Sequence, residues 1–148
     1  MKTISCALAF FAIILCALPL TSCSDSTTLS DISESFDKLV QDRGGNVVVY
    51  RHGDADVPAS VISLYGRAGT APDELALVDY AVIWYSDRLA AQDAAVFRVT
   101  NATDVQSVLK MCRRRADTLK YAAGISMTVS YNGHYVYIYT DGLDEFLP

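Results

Sequence analysis

The sequence predicts an α+β fold. It is a two-layer domain in which an antiparallel sheet carries one long amphipathic helix and an N-terminal helix packed on it. Three observations lead there. Strand patterns come as neighbours, residues 77–85 with 94–99 and then the two arms of 126–140. Residues 103–120 have apolar side chains at helical spacing. A second helical stretch, residues 29–43, precedes every strand.

In order, Leu29, Ile32, Phe36, Leu39 and Val40 lie on one helical face, and Gly44-Gly45 supplies a stop. Val47 to Arg51 is β-branched and aromatic and reads as a short strand, followed by the loop His52-Gly53-Asp54-Ala55-Asp56. Pro58 opens a helical turn through Val61, Ile62, Leu64 and Tyr65, which Gly66 ends. In the strand 77–85, Val78, Tyr80, Val82 and Trp84 share one face, and Asp79, Ala81 and Ile83 the other. A polar link leads to 94–99, with Ala95, Phe97 and Val99 on one face and Arg98 on the other.

Thr103-Asp104-Val105-Gln106 fits a capping box at the start of the long helix. Val105, Val108, Leu109, Cys112, Ala116 and Leu119 form its apolar stripe, and Cys112 reads there as a small buried hydrophobe. Lys110, Arg113, Arg114 and Arg115 make a basic ridge opposite it, with Asp117 in pairing range. Asn132-Gly133 predicts a type I′ hairpin turn that pairs Ser130 with Tyr135 and Thr128 with Tyr137. Met127, Val129, Val136 and Ile138 then face the core, and Tyr135, Tyr137 and Tyr139 ridge the other side. The acidic tail 141–148 reads as frayed.

The first 22 residues read differently. Lys2 gives a positive start, residues 4–18 are apolar apart from Ser5, and Pro19 breaks the run before small residues. That is a signal-peptide pattern, and it is too short for a span, which needs ~20 apolar residues. Leu20-Thr21-Ser22-Cys23 resembles the bacterial lipobox, in which the cysteine receives a diacylglycerol thioether. The resemblance implies that Cys23 is lipidated with acyl chains such as palmitate and becomes the first mature residue. The division is then signal peptide 1–22, lipidated tether 23–28 and single domain 29–148. The tether spans at most about 20 Å at ~3.3–3.6 Å per residue.

Without Lys2 the mature chain holds 11 basic and 17 acidic residues. A net charge of −6 argues against nucleic-acid binding and against adhesion to anionic lipid, so the lipid has to do the holding. Cys6 and Cys16 leave with the signal and Cys23 is acylated. Cys112 alone remains, which gives no intramolecular disulfide and no cysteine metal site.

Leu64-Tyr65-Gly66, Asp79-Tyr80-Ala81-Val82, Asp93-Ala94-Ala95-Val96-Phe97-Arg98-Val99, the helix around Arg115, and Gly133-His134-Tyr135-Val136 together resemble a family of small bacterial lipoproteins. That family is known as a domain of unknown function (number four-three-five-eight). The resemblance covers about half the chain and implies a location and a fold, with no activity.

Val47-Val48-Val49-Tyr50-Arg51-His52-Gly53 resembles the opening of the histidine phosphatases. By that match His52 is the nucleophile and Arg51 a phosphate ligand, with Arg88 as a second arginine. The later histidine such an enzyme needs falls at His134, past the hairpin turn, while Tyr131 occupies the strand position. The tyrosines 135, 137 and 139 suit a partner or glycan surface if they are open, and a second layer such as the N-terminal helix if they are not. Asp54 and Asp56 lack the ligand spacing of a calcium loop. No metal and no cofactor are expected.

The leading expectation is a lipid-anchored, non-enzymatic binding module on the outer face of the cytoplasmic membrane. Its partner would be another envelope protein or a wall component. The alternatives are a small histidine phosphatase and a purely structural envelope lipoprotein. A fatty-acid probe should label the wild-type chain and leave Cys23→Ser unlabelled; label retained in that variant overturns the anchor.

Overall fold

In a computed structural model, the described residues are 27–87 and 92–148. They form five strands and three α-helices: α1 Leu29–Arg43, β1 Asn46–Arg51, α2 Ala59–Tyr65, β2 Val78–Tyr85, β3 Asp93–Val99, α3 Val105–Ala123, β4 Met127–Asn132 and β5 Tyr135–Thr140. The strands make one sheet in the order β1-β2-β3-β5-β4, with every pair antiparallel. The α+β class, the antiparallel sheet, the long helix and the N-terminal helix packed on the sheet are as the sequence predicts.

The two long helices, however, lie on opposite faces, so the layers number three rather than two. The reason lies in the central strands. Val82, Trp84, Ala94 and Val96 pack with Ile32, Phe36 and Leu39 of α1. Ala81, Ile83, Ala95 and Phe97 pack with Val108, Leu109 and Cys112 of α3 and with Val61 and Tyr65 of α2. Residues 81–84 of β2 and 93–97 of β3 are buried on both faces, and a sheet apolar on both faces needs cover on both.

Helix α1 begins at a capping box: the Thr28 hydroxyl accepts from the Asp31 amide, and the Asp31 carboxylate accepts from the Thr28 amide at 2.7 Å. The bond from the Thr28 hydroxyl holds the Asp31 carboxyl below its ordinary pKa. The Tyr135 hydroxyl donates to the Thr27 carbonyl. Thr27 and Thr28 are thereby tied to the sheet and to α1. At the far end of α1, Trp84 Nε1 donates to the Gly44 carbonyl at 2.8 Å.

Four details differ from the sequence reading. Helix α3 starts two residues late, at Val105 after a 3-10 turn, and its N-cap Asp104 makes no side-chain capping bond, so the box at Thr103 and Gln106 does not form. In β2 the register shifts between Val78 and Tyr80, which turns Val78 to the α3 face. The hairpin pairs Asn132 with Tyr135 and Ser130 with Tyr137, two residues from the expected register. Only Gly133 of the turn has positive φ (55°), as a type II′ turn requires of its first central residue. The shift is even, so each side chain keeps its predicted face. Finally, the tail is docked: Leu143 is buried, and Phe146 and Leu147 pack on the α1 side with Arg43 over the Phe146 ring.

Phe36 is fully buried between α1 and the sheet. Phe36→Ala should lower the unfolding free energy by about 3–5 kcal/mol in urea titration, as large-to-small core changes do.

Candidate functional site

The structure does not bring the phosphatase-like residues together. Arg51 and His52 are exposed at the end of β1. The Arg51 amide donates to the Asp54 carboxylate at 2.9 Å, and the Asp54 amide donates back to the Arg51 carbonyl at 3.1 Å. Arg-His-Gly-Asp here closes a turn, which is what its Gly and Asp supply. His134 lies in the turn just before β5, with Nδ1 2.9 Å from the Val99 carbonyl. Three strand spacings of ~4.8 Å separate β1 from β5, roughly 14 Å, too far for one pair of histidines to share a phosphoryl group. Arg88, like Cys23, lies outside the described residues.

The tyrosine ridge is covered. Tyr135 is 3 % exposed and bonds Thr27, while Tyr137 and Tyr139 are half-buried under α1 and the tail. Burial, with Tyr135 at 3.3 Å, pushes the Tyr80 hydroxyl well up. This side of the sheet is core, and the second-layer alternative holds.

The basic ridge of α3 also divides, because consecutive helical residues point ~100° apart. Arg113 stays exposed. Arg114 Nη2 bonds Glu74 Oε1 at 2.8 Å. Burial raises the Glu74 pKa, but the bond and charge of Arg114 outweigh it and hold the carboxyl below its usual value. Arg115 turns inward and donates from Nε to Asp93 Oδ2 at 2.9 Å, with side chains only 11 % and 1 % exposed. Asp117 is not the partner of any of them.

The structure thus assembles a buried polar centre that the sequence reading did not single out. Asp93 opens β3, and its backbone amide and carbonyl both bond the Thr140 hydroxyl of β5, at 3.1 and 3.2 Å. Asp93 Oδ1 and the Tyr65 hydroxyl are buried without a hydrogen-bond partner among the described residues. Tyr65 packs edge-on against Phe97 with ring centroids 5.2 Å apart. Burial pushes the Asp93 carboxyl up, and Arg115 offsets this only in part. Burial, then the Asp93 charge, raise Tyr65 well above the ordinary tyrosine value and raise Cys112 likewise. One signal was present: Val108, Cys112, Arg115 and Leu119 are spaced four, three and four apart, so an arginine sits on the apolar face.

Above this centre is a groove. Two hollows, about 230 and 290 Å³, flank Arg67 and Arg114; one adds Asp73 and Glu74, the other Tyr65, Arg115 and Asp117. Gly66 makes the close approach feasible, since a Cβ there would lie 2.3 Å from the Thr70 carbonyl and 2.4 Å from that of Ile62. Arg67 and Thr70 then exchange backbone hydrogen bonds at 3.0 and 2.9 Å around Ala68 and Gly69. Ala68 has φ 48°, the one positive value at a non-glycine among the described residues. A strained turn therefore holds exposed Arg67, which forms no ion pair among the described residues.

No family model, no curated protein and no solved structure matches the chain. Among the described residues no group of three metal-ligating side chains gathers, and no helix is long and apolar enough to cross a membrane.

Arg115→Met should cost about 3–5 kcal/mol at neutral pH, because it strands the Asp93 charge. Asp93 binds its proton more tightly when folded, so its contribution is favourable in acid and is lost as pH rises through the folded value. Losing Arg115 raises that value further. The stability gap between variant and wild type should therefore be narrower at pH 5 than at pH 7 in urea unfolding; an equal or wider gap at pH 5 rejects this account.

Proposed function

We propose that this chain is a lipid-anchored binding module of the bacterial cell envelope. It is held at the outer face of the cytoplasmic membrane through Cys23, and it takes an anionic group of an envelope protein or wall component in the Arg67–Arg114 groove. The anchor rests on the lipobox-like Leu20-Thr21-Ser22-Cys23 and on the resemblance to small lipoproteins. The binding reading rests on one observation: a strained turn presents the exposed Arg67 guanidinium, in no salt bridge among the described residues, beside Arg114 and at the mouth of a buried polar centre. Planar guanidinium groups hold carboxylates and phosphates by two parallel N–H bonds. Glu74 holds one side of Arg114, which leaves Arg67 as the group that meets a ligand first. A binding module needs no catalytic set, and the groove supplies a site with a preformed wall.

The test is binding of the acylated chain to isolated cell-wall fragments and to detergent-solubilised envelope proteins. Arg67→Glu removes an exposed side chain, so the fold should stand. It should weaken retention by roughly tenfold or more, the size of one charge-assisted hydrogen bond. Unchanged retention in Arg67→Glu with native circular dichroism would remove the groove from the binding surface.

A further inference from the structure

Thr27 is the first described residue, and its carbonyl is held by Tyr135 at one end of the sheet. That end is marked by the row Arg51, Tyr80, Arg98, Tyr135 and Asn132, paired across all five strands. The opposite end carries Asp93 and Thr140, with the C-terminus of α3 beside it, where the Ile125 amide bonds the Leu119 carbonyl. The exit is also on the α1 side of the sheet, away from α3.

Resting on the proposed anchor at Cys23, we infer that this end of the sheet faces the bilayer. The β4–β5 turn with Tyr131 and the Arg51–Asp54 turn meet the phospholipid head groups. Distances decide the orientation. From Cys23 to Thr27 the chain advances four residues, at most about 14 Å. Strand β3 alone has seven residues, about 23 Å at ~3.3 Å each, so the far end of the sheet cannot reach the surface on such a tether. Lying on α3 would take the anchor past the sheet and the α3 layer, with layers ~10 Å apart, which again exceeds the reach. Lying on α1 would press Asp31, Glu34, Asp37 and Asp42 onto the membrane with only Lys38 and Arg43 to offset them, and anionic lipid opposes that net negative face.

The end that remains has suitable chemistry. Tyr131 is 56 % exposed, one of two large apolar side chains so open among the described residues, and tyrosine settles where an apolar ring meets polar head groups. Arg51 and His52 stand exposed at the same end. In this orientation the Arg-His-Gly turn lies toward lipid. Arg115, which lines part of the Arg67–Arg114 groove, meets Asp93 at the far end of the sheet.

The test uses the acylated chain in vesicles of phosphatidylcholine and phosphatidylglycerol with brominated acyl chains. Cys112 is buried and Cys23 is blocked, so a single added cysteine takes an environment-sensitive fluorophore. Labels at Tyr131→Cys and His52→Cys should be quenched severalfold more than a label at Ala123→Cys, the far-end reference on α3. Equal or reversed quenching in a chain that carries acyl and sediments with vesicles overturns the orientation and leaves the anchor standing. A chain that carries no acyl and stays in the supernatant overturns both. If Tyr131→Cys fails to fold, Asn132→Cys reports the same turn.

Discussion

The carboxyl group of Asp93 is withdrawn from water at the start of a strand buried on both faces, and among the described residues Arg115 of α3 is the cation that meets it. Removing a carboxylate from water costs several kcal/mol unless it is paired, so the two residues must arrive together. Their meeting ties β3 to α3, while Thr140 ties the same residue to β5 and Tyr65 closes the centre from α2. Sliding α3 by half a turn would strand both charges. An apolar stripe alone would tolerate such a slide, because one methyl contact can replace another. The ion pair thus adds register to a helix whose hydrophobic face supplies only affinity.

The second constraint is the two-sided core of β2 and β3. It forces α1 onto one face and α2 with α3 onto the other, and it decides the fate of the tyrosines on β5. Tyr135, Tyr137 and Tyr139 have hydroxyl groups suited to a wet surface, yet they lie under α1 and the tail. Tyr135 satisfies its hydroxyl against the Thr27 carbonyl, and in doing so it pins the residues just before α1 to the sheet. A residue that looked like a partner contact is a clamp on the start of α1.

Much of the fold was legible because it follows from local periodicity. Helix α1 has the predicted bounds, α2 runs from Pro58 to Gly66 as read, and β3 keeps Ala95, Phe97 and Val99 on one side. The features that were not legible are set by competition between local signals. Thr103 offered a cap that a 3-10 turn displaced, while Thr28, read as tether, supplied a complete capping box. Asn132-Gly133 offered a type I′ turn, but the turn centred one residue later. Leu143, Phe146 and Leu147 sit among acidic residues, and only the apolar hollow beside α1 shows why they dock.

By itself the sequence determined which stretches are helix or strand, the parity of β3, β4 and β5, and the lipobox-like segment, since all three are written in neighbouring residues. The tertiary structure decided which faces are covered and which side chains meet. Asp93 and Arg115 stand 22 residues apart, and Arg114 and Glu74 stand 40 apart. No local pattern couples such pairs. Their proximity depends on how helices are layered on the sheet, and that layering is settled by burial of the whole core at once.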